Sequence, residues 1–286
     1  CISPGARGRV RSKPPEEVLA EAGRLTAAGC RELVLTGIET ASYGRDLNGC
    51  TLADLLCRID RIPGVGRVRL GSLDPSLLRP DFVGRIAALG SLAPHFHLSM
   101  QSGSDGVLAR MRRKYNTRMA LDGIARLRAA IPDVQLTADM IVGFPQETEE
   151  EFDQTLRFAE AVGFLNIHIF PYSERAGTTA ASMPGQVPED IRHARAARLA
   201  ELQADIRRRL LDRMNGRTVE VLFETWKNGT ATGHTREFIE VSCPSRASLH
   251  ARLLPVRILS NNGTQCTGEL LAPSTTPIQE RSRNPL

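Results

Sequence analysis

The chain predicts an α/β fold: a parallel sheet wrapped by helices, followed by a small antiparallel β-barrel. Two observations predict it. From the amino terminus to residue 187, short apolar runs alternate with longer segments whose apolar residues recur near every 3.6 positions, the signature of strand, crossover helix and next strand. Past residue 188 the alternation stops, and one long Arg-rich segment gives way to runs of period two with turn signals between them. At 286 residues with 41% hydrophobic side chains, the chain can bury one large core and one small one.

Taken in order, "PPEEVLAEAGRLTAAG" predicts a helix ended by Gly29, and "RELVLTG" a buried strand. "TLADLLCRIDRI" is a helix, "RVRLGS" a strand, and "PDFVGRIAALG" a helix opened by Pro80. "HFHLSM" is a strand, "TRMALDGIARLRAAI" a helix and "VQLTADMIVG" a strand. "TEEEFDQTLRFAEAVG" is a helix and "LNIHIFPYS" a strand. Five strands separated by helices require parallel pairing, with a sixth expected upstream of residue 1 or in the first few residues. "PEDIRHARAARLAELQADIRRRLLDRMNG" then predicts one helix capped by Gly216, its arginines turned to solvent. "TVEVLFE", "EFIEVSC" and "LLPVRILS" predict strands, and the Pro- and Ser/Thr-rich end "APSTTPIQERSRNPL" a disordered tail.

In such a sheet, ligands sit at the loops that follow the C-terminal ends of the strands. Those loops are "TGIETASYG", "SLDP", "SMQSGS", "IVGFPQET" and "FPYSERAGT", and four of the five contain glycine, which lets backbone groups approach a ligand. Taken singly each is an ordinary βα turn; five on one rim point to a ligand site. Asp139 stands in an otherwise apolar strand, where it either accepts structural hydrogen bonds or contacts ligand. His95, His97 and His168 show no zinc-ligand spacing and are expected to be satisfied core or edge histidines. Lys and Arg outnumber Asp and Glu by 37 to 32, a mild excess compatible with an RNA partner. No apolar run approaches the roughly 20 residues that span a bilayer, and the first residues carry no apolar signal region, so a cytoplasmic location without a membrane partner is expected. The six cysteines are scattered without a CxxC pair and are expected to be reduced thiols.

These stretches resemble one family in one order. "CISPGARGRVRSKPPEEVLAEAGRL", "LVLTGIETASYGRDL", "LSMQSGSDGVLARMRRKYN", "DMIVGFPQETEEEF" and "FPYSERAGTTAASM" are similar to the radical S-adenosylmethionine methylthiotransferases. "TGI…SYG" and "MRRKY" lie nearest the MtaB-type branch, which modifies threonylcarbamoyladenosine beside the tRNA anticodon. The implied fold is a partial (β/α)6 radical SAM barrel over 1–187, a closing helix over 188–216, a TRAM-like RNA-binding β-barrel over 217–272 and a tail over 273–286.

The resemblance also implies a site. In the family a CxxxCxxC motif holds a [4Fe–4S] cluster, and Cys1, with Ile2, Pro4, Arg7 and Gly8, fits its third cysteine. The chain is thus expected to start inside the motif, without two cluster ligands and without the domain that carries the family's second cluster. For S-adenosylmethionine, the resemblance implies Thr36, Gly37 and Ile38 at the methionyl amino group, and Gln101 and Ser102 at the ribose. Arg113 would take the carboxylate, with Asp139 beside the cofactor, and Phe170 and Tyr172 would edge the adenine or shape the substrate pocket. Without the resemblance, Arg112 and Arg113 would equally suit a solvated helix face. The implied chemistry is reductive cleavage of S-adenosylmethionine to a 5′-deoxyadenosyl radical, hydrogen abstraction from C2 of the adenine, then delivery of sulfur and methyl. Implied partners are tRNA and an electron donor of flavodoxin or ferredoxin type, with the sulfur donor unknown.

In the TRAM-like part, Gly233 and Thr235 are expected to turn the chain. Arg217, Lys227, Arg236 and Arg252 are expected to meet RNA phosphates, and Phe238 to stack on an unpaired base. The merely structural alternative is a lid on the barrel. Four positions depart from the family pattern: Ser3, Gly5, Glu39 and Gln146. Alternative functions are a sister enzyme acting on isopentenyladenosine in tRNA or on a ribosomal protein, or a catalytically silent RNA-binding module.

A site-differentiated cluster needs three thiolates, leaving one iron for the cofactor. Anaerobic iron–sulfur reconstitution of these 286 residues is therefore expected to yield no stable cluster, and full [4Fe–4S] absorbance would overturn that expectation.

Overall fold

In the computed structural model of the protein, the described residues are 8–47 and 49–271. Cys1, Ser3, Gly5, the expected upstream strand and the expected disordered tail lie outside them. The described residues form two units. The first runs to Leu210 and includes Arg236–Phe238; the second comprises Leu211–Thr235 and the chain from Ile239. No described helix is long and apolar enough to cross a membrane.

The first unit alternates as expected. Helix α1 (Pro15–Ala27) leads to β1 (Glu32–Leu35), α2 (Leu52–Ile59) to β2 (Arg67–Leu70), and α3 (Pro80–Ala87) to β3 (His95–Gln101). A short helix α4 (Asp105–Arg110) and then α5 (Thr117–Ala130) precede β4 (Gln135–Val142), and α6 (Glu149–Val162) precedes β5 (Asn166–Pro171). All five strands pair in parallel and in chain order, within two hydrogen-bonded sheets, β1–β2 and β3–β4–β5. Between the sheets, isolated parallel bridges join Val68 to Leu92 and Leu73 to Leu98. Helix α4 has no counterpart in the sequence reading: its few residues are too short a window for a periodic signal.

Local chemistry accounts for the helix boundaries. Thr148 caps α6 by accepting from the Glu151 N–H while the Glu151 carboxylate accepts from Thr148 N–H, and Gly163 ends the helix at φ 65. Asn116 caps α5 through Met119 N–H, and Pro15 and Pro80 each open a helix where a missing N–H costs nothing. Period-two alternation sets the core. Phe96, Leu98 and Met100 of β3, with Leu136, Ala138, Met140 and Val142 of β4, are buried against Ile124, Leu127, Phe152 and Phe158 of the helices. The intervening residues of β3–β5 occupy the other face.

Helix α7 (Glu189–Asp212) meets the expectation that its arginines face solvent only in part: Arg198, Arg208 and Arg209 are exposed, but several of its arginines are bonded to the first unit. Arg195 is 5% exposed and donates to Glu147, and Arg198 bonds Asp153 and Glu149. Arg209 bonds Glu160 of α6, and Arg192 donates to the Tyr172 carbonyl. The cause is charge complementarity: α6 opens with Glu149, Glu150 and Glu151.

The second unit is a closed barrel of β6 (Thr218–Lys227), β7 (Thr230–Thr235), β8 (Glu240–Pro244), β9 (Leu253–Asn261) and β10 (Cys266–Leu270), in the order β10-β8-β7-β6-β9. It is not antiparallel throughout. A ring of five strands cannot alternate direction all the way round, and the β8–β10 pair is parallel. Strands β7 and β10 escaped the sequence reading because "TATGHT" and "CTGEL" carry few β-branched apolar residues. Their register comes from the Asn228–Gly229 turn, with φ 50 and 76, and from pairing with neighbours. Gly233, expected to turn the chain, and Thr235 lie inside β7. A Cβ on Gly233 would sit 2.0 Å from the Leu222 carbonyl oxygen, so that position demands glycine for strand contact.

The α2 cap couples stability to pH. Asp54 accepts from the Thr51 hydroxyl (2.6 Å) and N–H (2.8 Å) and from Arg85 (2.6 Å), bonds that hold its pKa down to about 2 from an ordinary 3.8. A depressed carboxyl stabilises the fold fully above its unfolded pKa and loses that contribution as pH falls through its folded one. Asp54→Asn is therefore expected to flatten the fall in Tm between pH 4 and pH 2 in thermal unfolding; an unchanged slope would refute the assignment.

Candidate functional site

The C-terminal ends of β1, β2 and β3 open onto one cleft of about 1680 Å³. Thr36, Gly37 and Ile38 follow β1 on its wall, Asp74 follows β2, and Ser99 and Gln101 come from β3. Arg112, Arg113 and Lys114 line it from the segment after α4. Of the residues expected at the cofactor, the structure thus brings Thr36, Gly37, Ile38, Gln101 and Arg113 together.

Bonds made by residues of the wall hold the cleft in shape. Thr40 donates its hydroxyl to the Ser72 carbonyl (2.6 Å), tying the first loop to the second. Gly44, at φ 84, lies so close to Cys50 that a Cβ would fall 1.8 Å from its carbonyl oxygen. The Gly44 N–H donates to Ser12 Oγ, and the Tyr43 hydroxyl donates to the Lys13 carbonyl, so the chain before α1 is pinned to this loop. At β3 the register shifts between Leu98 and Gln101, and Gln101 takes φ 63, which turns the strand end toward the cleft.

Arg112 and Arg113 do not lie on a solvated helix face. Met111 caps α4, and Arg112 at φ 56 begins a turn that carries Arg113 to the cleft. Tyr115 anchors that turn. Its buried hydroxyl donates to the Ser99 (2.7 Å) and Met100 (3.0 Å) carbonyls, and burial pushes it well above the usual tyrosine range.

The other expected site residues lie elsewhere. Ser102 is fully buried, its hydroxyl bonded to Thr155 and to the Ser104 N–H, so its side chain belongs to the scaffold under α6. Tyr172 is 9% exposed and packs edge-on against Phe144, its ring centroid 5.4 Å away. Phe170 is half exposed on β5. Asp139 makes structural bonds to two histidines: its Oδ1 lies 3.1 Å from His97 Nε2 and 3.2 Å from His168 Nδ1. Burial pushes the Asp139 carboxyl up, but these two partners outweigh it and hold the group below its usual range.

Sequence reasoning missed Glu147 in "IVGFPQET". Its side chain is fully buried, accepts from the Gly143 N–H (2.6 Å) and pairs with Arg195 (2.8 Å). Burial is the largest influence and raises its pKa. The signal available was the single acid of the "GFPQET" loop. The Gln146 departure also gains a physical account. Gln146 sits at φ 65, where glycine is free and a side chain is strained, and its amide donates to the Pro184 carbonyl.

Among the residues expected to meet RNA, Arg217, Lys227 and Arg252 are exposed. They do not form one patch: Arg217 precedes β6 and Lys227 ends it, roughly 30 Å apart along a strand of this length. Exposed Trp226, its indole N–H donated to Ser245 O, stands beside Lys227 and was also missed. Arg236 and Phe238 make contacts within the first unit, Phe238 remaining 40% exposed. Arg236 donates to the Gly90 and Leu92 carbonyls. The Phe238 ring stacks on His95 at 4.6 Å and lies 4.8 Å from the Arg69 guanidinium. Removing the Tyr115 hydroxyl by Tyr115→Phe is expected to lower unfolding free energy by about 1 kcal/mol; unchanged denaturant midpoints would show that it does not brace the turn.

Residues 1–159 match the family model of the radical SAM superfamily. The chain is 35% identical to the threonylcarbamoyladenosine tRNA methylthiotransferase MtaB of Bacillus subtilis, over 99% of this chain and 64% of that protein. It is 41% identical to the tRNA-2-methylthio-N(6)-dimethylallyladenosine synthase of Syntrophobacter fumaroxidans, over 95% of this chain and 60% of that one. The chain thus spans about three fifths of the length of these curated relatives. In fold it is similar to coproporphyrinogen III oxidase (HemN) from Escherichia coli, a radical SAM enzyme, with a TM-score of 0.50 and 11% identity over 88% of this chain and 64% of that one. The family match begins ahead of β1 and runs through the four following strand and helix repeats into α6, across more than half the residues, and on that ground the chain belongs to the radical SAM superfamily.

Proposed function

We propose that this chain is the cofactor-binding and tRNA-handling part of a tRNA methylthiotransferase that modifies threonylcarbamoyladenosine next to the anticodon. The cleft at the strand ends carries the reading, because its donors suit an amino-acid-bearing nucleoside. Gly37 offers backbone groups with no side chain in the way, and Gln101 offers paired donor and acceptor. Arg113 offers a guanidinium fork for a carboxylate. These residues fit the methionyl group and ribose of S-adenosylmethionine, which beside a reduced iron–sulfur cluster supplies the hydrogen-abstracting radical chemistry. The protein's own share is to hold the cofactor carboxylate at Arg113, orient the base over the cleft and exclude water.

Cluster ligation rests with Cys1, which lies outside the described residues. Cys243 and Cys266 do not fit that role: burial in the second unit's barrel pushes both thiols up to about 11, far from the thiolate a cluster needs.

The choice of nucleoside is supported by the polarity of the face opposite the helices, where β2–β4 carry Arg69, His97, Ser99, Thr137 and Asp139. A threonylcarbamoyl group brings a carboxylate and a hydroxyl that such a face can satisfy, whereas a dimethylallyl group brings only apolar surface. The relative named for dimethylallyladenosine favours the second nucleoside, and tRNA from both backgrounds is therefore the test. Incubation of the full-length enzyme with each tRNA, followed by nucleoside mass spectrometry, is expected to show methylthio transfer to threonylcarbamoyladenosine alone. Transfer to the dimethylallyl substrate alone would overturn the assignment. Arg113→Ala is expected to weaken S-adenosylmethionine binding at least tenfold, the equivalent of one charge-assisted contact.

A further inference from the structure

We propose that His97, Asp139 and His168 form a binding site for a divalent transition-metal ion on the inner face of the parallel strands. Each of three neighbouring strands contributes one ligand: β3 supplies His97, β4 Asp139 and β5 His168. The register places Asp139 directly beside His168 and Thr137 beside His97. One ligand atom from each side chain lies within 4.8 Å of the other two.

The spacing is that of a coordination edge. Metal–nitrogen and metal–oxygen bonds of about 2.0–2.1 Å put adjacent ligand atoms about 3.0 Å apart at a right angle and about 3.3 Å apart at a tetrahedral one. The two nitrogen-to-Oδ1 separations, 3.1 and 3.2 Å, fall between these values. Both imidazoles converge on the same carboxylate oxygen, with ring centroids 5.2 Å apart.

The supporting shell is also that of a metal site. His97 Nδ1 lies 2.8 Å from Thr137 Oγ1, which itself lies 3.0 Å from His95 Nε2. The Thr137 hydroxyl fixes the ring, so that Nε2 is presented to Asp139; metal-binding imidazoles are oriented through their second nitrogen in this way. Access is open, since the His168 side chain is 56% exposed while those of His97 and Asp139 are 14% and 25% exposed. Two imidazoles and one carboxylate suit Zn²⁺, Co²⁺ or Fe²⁺ and poorly suit Ca²⁺ or Mg²⁺, which ask for oxygen donors. No thiolate takes part, so the site is separate in chemistry from an iron–sulfur centre. Three protein ligands leave coordination positions for water or a ligand oxygen. The inference stands on side-chain geometry and is independent of which nucleoside the enzyme modifies.

The test uses the whole chain with its accessible thiols alkylated and Co²⁺ as the probe. Equilibrium dialysis with elemental analysis is expected to show one equivalent bound, with visible d–d bands of a nitrogen and oxygen environment. Asp139→Asn and His168→Gln are expected to weaken binding at least tenfold. Thr137→Val is expected to weaken it 10–100-fold through the lost orienting bond, and His193→Gln, exposed and paired with Glu189 at the start of α7, to leave it unchanged. Should a variant fail to fold, imidazole nitrogen NMR of the wild-type chain with Zn²⁺ replaces it. Of the six histidines, the signals of His97 and His168 are expected to shift most. Absence of a stoichiometric ion, binding indifferent to the variants, or shifts confined to other histidines would each overturn the proposal.

Discussion

Strand β4 is paired on both edges, Ala138 lying between Leu98 of β3 and Ile167 of β5, and the rest of the first unit depends on that register. Because side chains alternate with period two, the pairing sends Leu98, Ala138 and Met140 into the helix-facing core and His97, Asp139 and His168 to the opposite face. A slip of one residue would exchange the two sets, burying charge and exposing the core. Burial of a leucine- or phenylalanine-sized side chain stabilises by about 1.5–3 kcal/mol, and Phe96, Leu98, Met140 and Val142 are all fully buried, so the register is strongly held. The polar inner face exists because the apolar outer face forces it.

The cleft at the strand ends is shaped by bonded polar residues in and around its wall. Tyr115 bolts the arginine-bearing turn to β3, Thr40 joins two loops, and buried Glu147 gathers the loop after β4 onto Arg195 of α7. Each is a polar group taken out of water and bonded at close distance, the condition under which burial of such groups rigidifies rather than destabilises. Loops following strands are otherwise the mobile parts of an α/β fold, so these anchors preorganise the backbone that a cofactor meets.

Part of the charge in the first unit is used internally. Arginines of α7 answer the acids that open α6, and Arg69 makes a bidentate pair with Glu32 at 2.8 and 3.1 Å. The modest net charge of +5 thus says little about a nucleic-acid surface. The exposed bases that remain near an aromatic, Lys227 beside Trp226, lie on the second unit's β6 hairpin.

The sequence alone determined the order of strands and helices in the first unit, the rim loops and the family, because periodicity, caps and glycine-bearing turns are local properties. Thr148 with Glu151, Pro80 and Gly163 mark helix ends through bonds made within a few residues, and so can be read without a fold. Tertiary structure decided what lies far apart in the chain. It turned Ser102 into scaffold, drew Arg195 inward, and brought two histidines from separate strands onto one aspartate oxygen. Those outcomes depend on register and on which buried charge finds a partner, and such pairings are set by packing across the sheet rather than by any stretch of neighbouring residues.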